Sequence, residues 1–276
     1  MSGRLPDWLP VPLEQALRKA WHAIRHRDPR RTLAKARFES WNASAEPETV
    51  TLRPGLTIPV VDEAREGFEY FAWRDLEMVR EFEQFVGERD SGHRLLDVGA
   101  LHGLFSLAFV ADRPQARALA VEPSSAALAI LRRHVAINTG GAIDVAEVAA
   151  GEAAGQVRLV ENWHHLEASP AGGGGVERVV EQTTLDRLCS ERDFWPDVVK
   201  IDVEGMEGRV LRGAAEVLRR RPVIHLELHP QALERLGESV EQALRPLVES
   251  GHIADPGRFA RARNTTRIVV RPSPNP

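Results

Sequence analysis

Residues 95–106 carry the pattern that most constrains the fold of this chain. A short apolar run over 95–98 predicts a buried strand, and this strand carries the acid Asp97 near its end. Gly99 and Gly103 follow in a turn with little side-chain bulk, and the apolar residues behind the turn predict a helix. A strand, a small-residue turn and a helix form the nucleotide-binding corner of a doubly wound sheet, where amides at the helix start face the ligand.

The spacing of the glycines distinguishes two classes of nucleotide-binding turn. A dinucleotide fingerprint, G-x-G-x-x-G, needs glycine at the two positions that Leu101 and Leu104 occupy here. Gly99 and Gly103 remain in a G-x-x-x-G spacing, with Asp97 two residues before the first glycine. This arrangement is similar to the first motif of S-adenosylmethionine-dependent methyltransferases, although a tight turn without a ligand also fits it.

A second acid follows the next predicted strand. The apolar run 116–121 predicts that strand, which ends in Glu122 and Pro123. An acid at this place, about 20 residues past the glycines, is suited to accept hydrogen bonds from ribose hydroxyls. The other interpretation is a solvated loop carboxylate, which the spacing makes less attractive.

The remaining apolar runs complete a mostly parallel α/β sheet. Helical segments alternate with these runs, which is the pattern of a doubly wound fold. The runs 157–160 and 176–180 predict an inserted hairpin that flanks the glycine-rich loop 161–175. Sheet strands are predicted over 95–98, 116–121, 143–149, 197–203, 223–228 and 266–270.

Charged residues interrupt or end the fourth and fifth of these strands. Lys200 and Asp202 lie in the fourth strand, Glu204 follows it, and Glu227 and His229 end the fifth. Buried charges are costly unless they are paired, so we expect these residues at the functional end of the sheet. Three interpretations stay open: a base or positioning group for a hydroxyl substrate, hydrogen bonds that tie strand ends together, or a divalent metal site.

The sequence pattern of the first third of the chain predicts helices and a hairpin beside the sheet. Apolar residues at helical spacing indicate helices over 12–25 and 68–86, and alternation around Pro54 and Gly55 indicates a hairpin over 47–61. We interpret this part as a cap over the ligand site. The predicted division is 1–90 for the extension and cap, 91–271 for the α/β domain and 272–276 for a disordered tail.

Composition narrows the classes of protein further. The formal net charge of −4 over 276 residues disfavours a dedicated nucleic-acid binder. No apolar run approaches the ~20 residues of a membrane-spanning helix, and the N-terminus lacks a secretory apolar region, so we expect a cytoplasmic protein without a membrane partner. Cys189 is the single cysteine, which excludes an internal disulfide and a multi-cysteine zinc site.

A series of motifs in order resembles the FkbM family of methyltransferases. Lys200 to Gly205, the stretch Lys-Ile-Asp-Val-Glu-Gly, is the most specific of them. The others are Asp97-Val98-Gly99-Ala100-x-x-Gly103, Glu122-Pro123, Thr184-Leu185-Asp186 and Glu227-x-His229, preceded by Leu211-x-Gly213-Ala214. The resemblance implies a seven-stranded class I methyltransferase fold and transfer of a methyl group from S-adenosylmethionine, typically to a hydroxyl of a sugar or secondary metabolite.

The resemblance also implies roles for particular residues. The expected catalytic and acceptor-side residues are Asp202, Glu204, Glu227 and His229, with His229 or a nearby carboxylate as the base and no metal ion. The expected cofactor-binding residues are Asp97, Gly99, Ala100, Leu101, Gly103, Glu122, Pro123 and Asp202.

One position departs from the family pattern, which usually shows asparagine where this chain has Leu101. The lost side-chain amide removes one contact to the methionine end of the cofactor, while the backbone donors remain. The leading hypothesis is therefore an O-methyltransferase acting on a small-molecule hydroxyl. The alternatives are an S-adenosylmethionine-binding module with weak or no catalysis and, less favoured because of Leu101 and Leu104, a nicotinamide-dependent oxidoreductase.

Overall fold

A computed structural model describes most of the chain after the first 28 residues. The described residues are 29–43, 45–46, 48–138, 142–162, 165–167, 176–253, 255–259 and 264–271. The predicted helix over 12–25, the predicted tail after 271 and most of the loop 161–175 lie outside them.

The central sheet is built from the six strands predicted from the apolar runs, with small differences at their ends. The strands are β3 Arg94–Val98, β4 Arg117–Val121, β5 Ile143–Ala146, β10 Val198–Ile201, β11 Val223–Leu228 and β12 Thr266–Val270. Their order across the sheet is β12-β11-β10-β3-β4-β5. Only β12 at one edge runs antiparallel to its neighbour, and the other five strands are parallel.

Helices cover both faces of this sheet, which explains why its inner strands are continuous apolar runs. One face packs against α4 Leu104–Val110 and α5 Ser125–Ile137, and the other packs against five helices in the second half of the chain. Those five are α6 Leu185–Glu191, α7 Glu207–Arg212, α8 Ala215–Arg219, α9 Pro230–Arg235 and α10 Val240–Glu249. The structure is therefore a three-layer α/β/α fold of the doubly wound type.

The central sheet has six strands among the described residues, not the seven that the family resemblance implied. After α10 the chain passes through the 3-10 turn Pro256–Arg258 before it enters β12. Asp255 caps this turn by accepting a hydrogen bond from the Gly257 amide. The described part of this connection therefore holds a turn and no strand.

A second sheet of four strands follows the third strand of the central one. Its strands are β6 Ala149–Ala150, β7 Gly155–Asn162, β8 His165–Glu167 and β9 Val176–Thr183, in the order β6-β9-β7-β8. The predicted single strand over 143–149 is wrong at its end, because Ala149 pairs in parallel with Gln182 of β9 and leaves the central sheet. The predicted inserted hairpin is present, although it is longer than predicted and belongs to this larger sheet.

The elements before β3 share a hydrophobic core with α4 and α5. They are α1 Pro29–Asn42, the hairpin β1 Thr49–Arg53 and β2 Leu56–Pro59, α2 Asp62–Glu69 and α3 Leu76–Glu88. The hairpin confirms the prediction around Pro54 and Gly55. The single helix predicted over 68–86 is wrong, because a π-helical turn, Tyr70–Arg74, separates α2 from α3. Asp75 then starts α3 as its N-cap, accepting hydrogen bonds from the Glu77 and Met78 amides.

No helix among the described residues is both long and apolar enough to cross a membrane.

Candidate active site

The turn after β3 is built on three residues with left-handed backbone. Gly99, Leu101 and Gly103 have φ values of 79°, 48° and 87°. A Cβ on Gly99 would lie 1.8 Å from the Asp202 backbone oxygen, so only glycine lets this turn approach the end of β10. The prediction of a tight, small-residue turn at this place is confirmed.

Asp97 lies beneath this turn, where it joins β3 to α4. Its Oδ2 accepts hydrogen bonds from the Ser106 amide at 3.1 Å and the Ser106 hydroxyl at 2.7 Å. Burial raises the pKa of Asp97 to about 6, against the lowering effect of Ser106 and the Lys200 charge. Asp97 does not line the cleft described below, and neither do Ala100 and Gly103. In this structure Asp97, Ala100 and Gly103 shape the turn, and their expected role in cofactor binding stays a prediction.

Glu122, the acid after β4, is buried and holds the turn from the other side. Its Oε2 accepts the Leu101 amide at 2.8 Å, and its Oε1 accepts the Ser124 amide at 2.8 Å. Burial raises the pKa of Glu122 to about 7, although both hydrogen bonds act to lower it. The interpretation as a solvated loop carboxylate is therefore wrong.

A cleft of about 690 Å³, counted to its open mouth, lies over the carboxyl ends of β3, β4 and β10. This is the place where open α/β sheets bind their ligands. Polar groups stand at its two ends, and the second sheet and the turn before α7 supply its apolar wall. The lining residues are Val98, Gly99, Leu101, Val121, Glu122, Pro123, Val148, Ala149, Ala150, Leu159, Asp202, Val203, Glu204 and Met206.

Three side chains meet where β10 and β11 end. Because β10 pairs with both β3 and β11, Asp202 and Glu204 after β10 come beside His229 after β11. His229 Nε2 lies 3.9 Å from Asp202 Oδ1 and 3.5 Å from Glu204 Oε2. Asp202, Glu204 and His229 therefore lie together at the carboxyl end of the sheet, and Asp202 and Glu204 also line the cleft.

The turn after β10 has left-handed backbone beside this cluster. Glu204 has a φ of 49°, in the left-handed region that non-glycine residues seldom adopt, and Gly205 follows with a φ of 103°. A Cβ on Gly205 would lie 2.6 Å from the Ala232 Cβ at the start of α9, so this turn packs tightly. Strain at a residue that lines a cleft is a mark of functional sites.

Glu207, which the sequence reasoning missed, organises this cluster from behind. It is fully buried, and its Oε1 is 2.9 Å from the Gly205 amide, which donates to it, and 2.7 Å from His229 Nδ1. Burial lowers the pKa of His229, but the hydrogen bond to Glu207 and the charges of Glu204, Glu207 and Asp202 outweigh it and raise the pKa to about 9. The imidazole therefore carries a proton at neutral pH.

Glu227 takes a different position from the one expected for the acceptor side. It is buried away from the cleft, with Oε1 2.6 Å from Arg267 Nη2 and Oε2 3.7 Å from Lys200 Nζ. Lys200, 2% exposed, also pairs with Glu81 at 3.2 Å and Asp202 at 3.4 Å. Both Lys200 and Asp202 were expected at the functional end of the sheet, but of the two only Asp202 lines the cleft.

Two members of this buried charge network had no sequence signal. Glu81 lies on α3 and Arg267 on β12, far apart in the chain, and Arg267 Nε is 2.5 Å from Glu81 Oε2. Burial and the neighbouring charge of Asp202 raise the pKa of Glu227 to about 8, while the charges of Lys200 and Arg267 act to lower it. The network joins two basic side chains, Lys200 and Arg267, to three acidic ones, Glu81, Asp202 and Glu227.

The family model for the methyltransferase FkbM domain matches residues 97–253, which is more than half of the chain. This chain belongs to the FkbM methyltransferase family. The matched segment begins at Asp97 and includes the cleft, the turn after β10 and the His229 cluster. A comparison with curated protein sequences found no match.

Solved structures of methyltransferases are similar at low identity. The methyltransferase FkbM from Methylobacillus flagellatus KT is 18% identical over 65% of this chain and 44% of its own, with a TM-score of 0.42. This chain thus spans less than half of that protein. An O-methyltransferase from Bacillus cereus in complex with SAH is 14% identical over 80% of this chain and 79% of its own, with a TM-score of 0.39.

His134 joins the N-terminal elements of this FkbM methyltransferase to the turn after β3. Its Nδ1 lies 2.6 Å from the His102 carbonyl oxygen, and its Nε2 accepts the Val61 amide at 3.0 Å. Burial is the main cause that lowers the pKa of His134. The imidazole is therefore neutral, with its proton on Nδ1, and it couples the turn to the chain after β2.

Proposed function

We propose that this FkbM methyltransferase binds S-adenosylmethionine in the cleft and methylates a hydroxyl group of a sugar or secondary metabolite. The observation that carries the proposal is the arrangement of polar groups along one cleft. Glu122 stands at one end, the bare backbone of Gly99 faces the middle, and Asp202 and Glu204 stand at the other end. A nucleoside with a charged tail matches this order of groups.

The residues present fit that cofactor. Each oxygen of Glu122 accepts one backbone amide, and a carboxylate has about four acceptor sites, so capacity remains for two ribose hydroxyls. The apolar wall of Ala149, Leu159 and Met206 suits an adenine ring. Leu101 keeps its amide bonded to Glu122, and the departure from asparagine therefore changes a side-chain contact and leaves the turn intact.

The acceptor end of the site positions a hydroxyl group. Asp202 and Glu204 are 28% and 39% exposed, so their oxygens are accessible from the cleft. His229 already carries a proton because of the surrounding carboxylates, so it does not serve as the base in this state. We assign to the carboxylates of Asp202 and Glu204 the hydrogen bond from the acceptor hydroxyl, and one of them would take the hydroxyl proton as the oxygen gains the methyl group.

Positioning supplies much of the rate in this scheme. Bound S-adenosylmethionine supplies a methyl group already activated on a sulfonium sulfur. The chain holds the hydroxyl at the Asp202 and Glu204 end and the nucleoside at the Glu122 end, which turns a bimolecular step into an effectively unimolecular one.

Titration calorimetry with S-adenosylmethionine, S-adenosylhomocysteine and NAD tests the cofactor assignment. We expect the first two to bind and Glu122→Gln to weaken both about tenfold or more, because it removes a charged acceptor of ribose hydrogen bonds. Glu241→Gln, at an exposed acid on α10, is the matched control. Absence of binding by both sulfur compounds would overturn the proposal, and binding of NAD alone would favour an oxidoreductase.

Methyl transfer itself needs a second measurement. Incubation with S-adenosylmethionine and a panel of sugars and polyketide alcohols, followed by mass spectrometry, should give products with one added methyl group. Cofactor binding without transfer to any member of a broad panel would favour the binding-module alternative.

A further inference from the structure

We propose that Asp202, Glu204 and His229 form a binding site for one divalent metal ion of the Mn²⁺ type. The ion would hold the oxygen of the methyl acceptor at the open end of the cleft. That role rests on the proposed function, whereas the binding site itself depends only on the geometry of the three side chains.

The three donor atoms already converge. One ligand atom from each of Asp202, Glu204 and His229 lies within 4.8 Å of the others. Neighbouring ligands of an octahedral ion, at about 2.1 Å from the metal, are roughly 3 Å apart. The observed separations of 3.5 and 3.9 Å from Nε2 to the two carboxylates need only small side-chain movements to reach this spacing.

His229 is oriented as metal-binding histidines are. Its Nδ1 is held at 2.7 Å by the buried carboxylate of Glu207, which leaves Nε2 directed at Asp202 and Glu204. A carboxylate behind the second ring nitrogen is the usual support for a histidine ligand, because it fixes the ring and increases its basicity. Glu207 is itself fixed by the Gly205 amide. This support is independent of the acidic residues in the cluster.

The balance of charge favours a cation. Three carboxylates, Asp202, Glu204 and Glu207, surround the imidazole of His229. The nearby cation Lys200 pairs with Asp202 and also with two other acids, Glu81 and Glu227. A divalent ion bound by Asp202, Glu204 and His229 would offset this negative charge where the carboxylates converge.

The chemistry of the three ligands indicates the kind of ion, and their exposure indicates whether coordination positions remain open. Two carboxylate oxygens and one imidazole nitrogen suit Mn²⁺, while Ca²⁺ prefers six to eight oxygens and soft ions prefer thiolates. Cys189 is buried in α6 and is not part of the cluster. Partial exposure of Glu204 and Asp202 leaves coordination positions open for water and for the acceptor oxygen, as in catalytic metal sites.

Electron paramagnetic resonance of Mn²⁺ added to the chelator-treated full chain tests the site. Free Mn²⁺ gives a strong signal that is lost on binding, so a titration yields the number of sites and the affinity. We expect one site, weakened at least tenfold by Glu204→Gln and by His229→Ala. Glu234→Gln, at an exposed acid on α9 outside the cluster, should bind as the native chain does.

Absence of saturable Mn²⁺ binding to the native chain would overturn the proposal, whatever the variants do. Equal affinity in the native chain and in both cluster variants would overturn it as well, because the ion would then lie elsewhere. Circular dichroism of each variant establishes that it is folded. Calorimetry with S-adenosylhomocysteine on the same samples separates the two proposals. A chain that binds S-adenosylhomocysteine but does not bind Mn²⁺ contradicts only the metal site. A chain that binds Mn²⁺ but not S-adenosylhomocysteine contradicts only the cofactor assignment.

Discussion

Replacing Lys200 with methionine removes the central cation of the buried charge network. Lys200 Nζ lies 3.2–3.7 Å from carboxylate oxygens of Glu81, Asp202 and Glu227, and 4.8 Å from the centre of the Phe105 ring. Methionine has a similar length, so Lys200→Met changes the charge at this buried position with little change in volume.

The size of the effect follows from these distances. At an effective dielectric constant of 20, each pair at about 3.5 Å contributes about 4–5 kcal/mol of attraction. Burial of the ions offsets several kcal/mol of this. Burial lowers the pKa of Lys200, yet the carboxylates outweigh it and hold the pKa above its usual value, so attraction exceeds the desolvation cost. Loss of one partner from such a set destabilises by about 3–5 kcal/mol.

Urea unfolding followed by circular dichroism measures this change in the free energy of unfolding. The double variant Lys200→Met with Glu81→Gln restores the balance of charge, because one positive and one negative group are removed together. The glutamine side chain in this variant also keeps an oxygen for the hydrogen bond that Arg267 Nε donates at this position. We therefore expect the double variant to be more stable than the sum of the two single effects predicts, by about 1–3 kcal/mol.

Two results would refute this reasoning. One such result is a decrease of less than about 1 kcal/mol in the free energy of unfolding of Lys200→Met, against the several kcal/mol expected for a broken buried pair. It would mean that the carboxylates take up protons or become hydrated once the lysine is gone. Additive single effects, within about 0.5 kcal/mol, would mean that Lys200 and Glu81 do not interact energetically. Either outcome would reduce the network to a set of independent contacts.

Two further predictions concern the cleft. Affinity for S-adenosylhomocysteine should rise up to about tenfold from pH 6 to pH 8, because Glu122, with a pKa of about 7, loses its proton and gains an acceptor site over this range. Calorimetry at each pH measures the affinity, and the same pH profile in Glu122→Gln would contradict the prediction. Gly99→Ala should lower the free energy of unfolding by about 2–4 kcal/mol, because its Cβ meets the Asp202 backbone at a positive φ. Gly87→Ala in α3, with open space around it, is the control and should be neutral or stabilising in the same urea titration.

Local patterns were sufficient to predict the sheet and the turn. Mostly apolar runs marked all six strands of the central sheet, because strands covered on both faces bury most of their side chains. Glycines at 99 and 103 marked the turn, because left-handed backbone there excludes most other residues. Asp202, Glu204 and His229 were found because parallel strands bring their carboxyl ends to one edge of the sheet.

Contacts between distant segments had no such signal. Glu81 and Arg267 are 186 residues apart and each looks like an ordinary surface charge in its own element, yet they pair inside the fold. Glu227 lies at the carboxyl end of a strand, as the other predicted site residues do, but its side chain pairs with Arg267 and does not line the cleft. The end of β5 was missed because departure of the chain into a second sheet depends on the pairing of Ala149 with Gln182 of β9, which comes much later in the chain.

Two of the described non-glycine residues with left-handed backbone line the cleft, and this connects the fold to the proposed chemistry. Leu101 and Glu204 both adopt left-handed backbone, and both line the cleft from opposite sides of Gly99. Such strain persists only where the surroundings hold it. Leu101 is held by Glu122, and the turn after Glu204 is held by Glu207, which also aligns His229. Two buried carboxylates thus fix the two strained turns, so the ends of the cleft are preorganised before any ligand arrives.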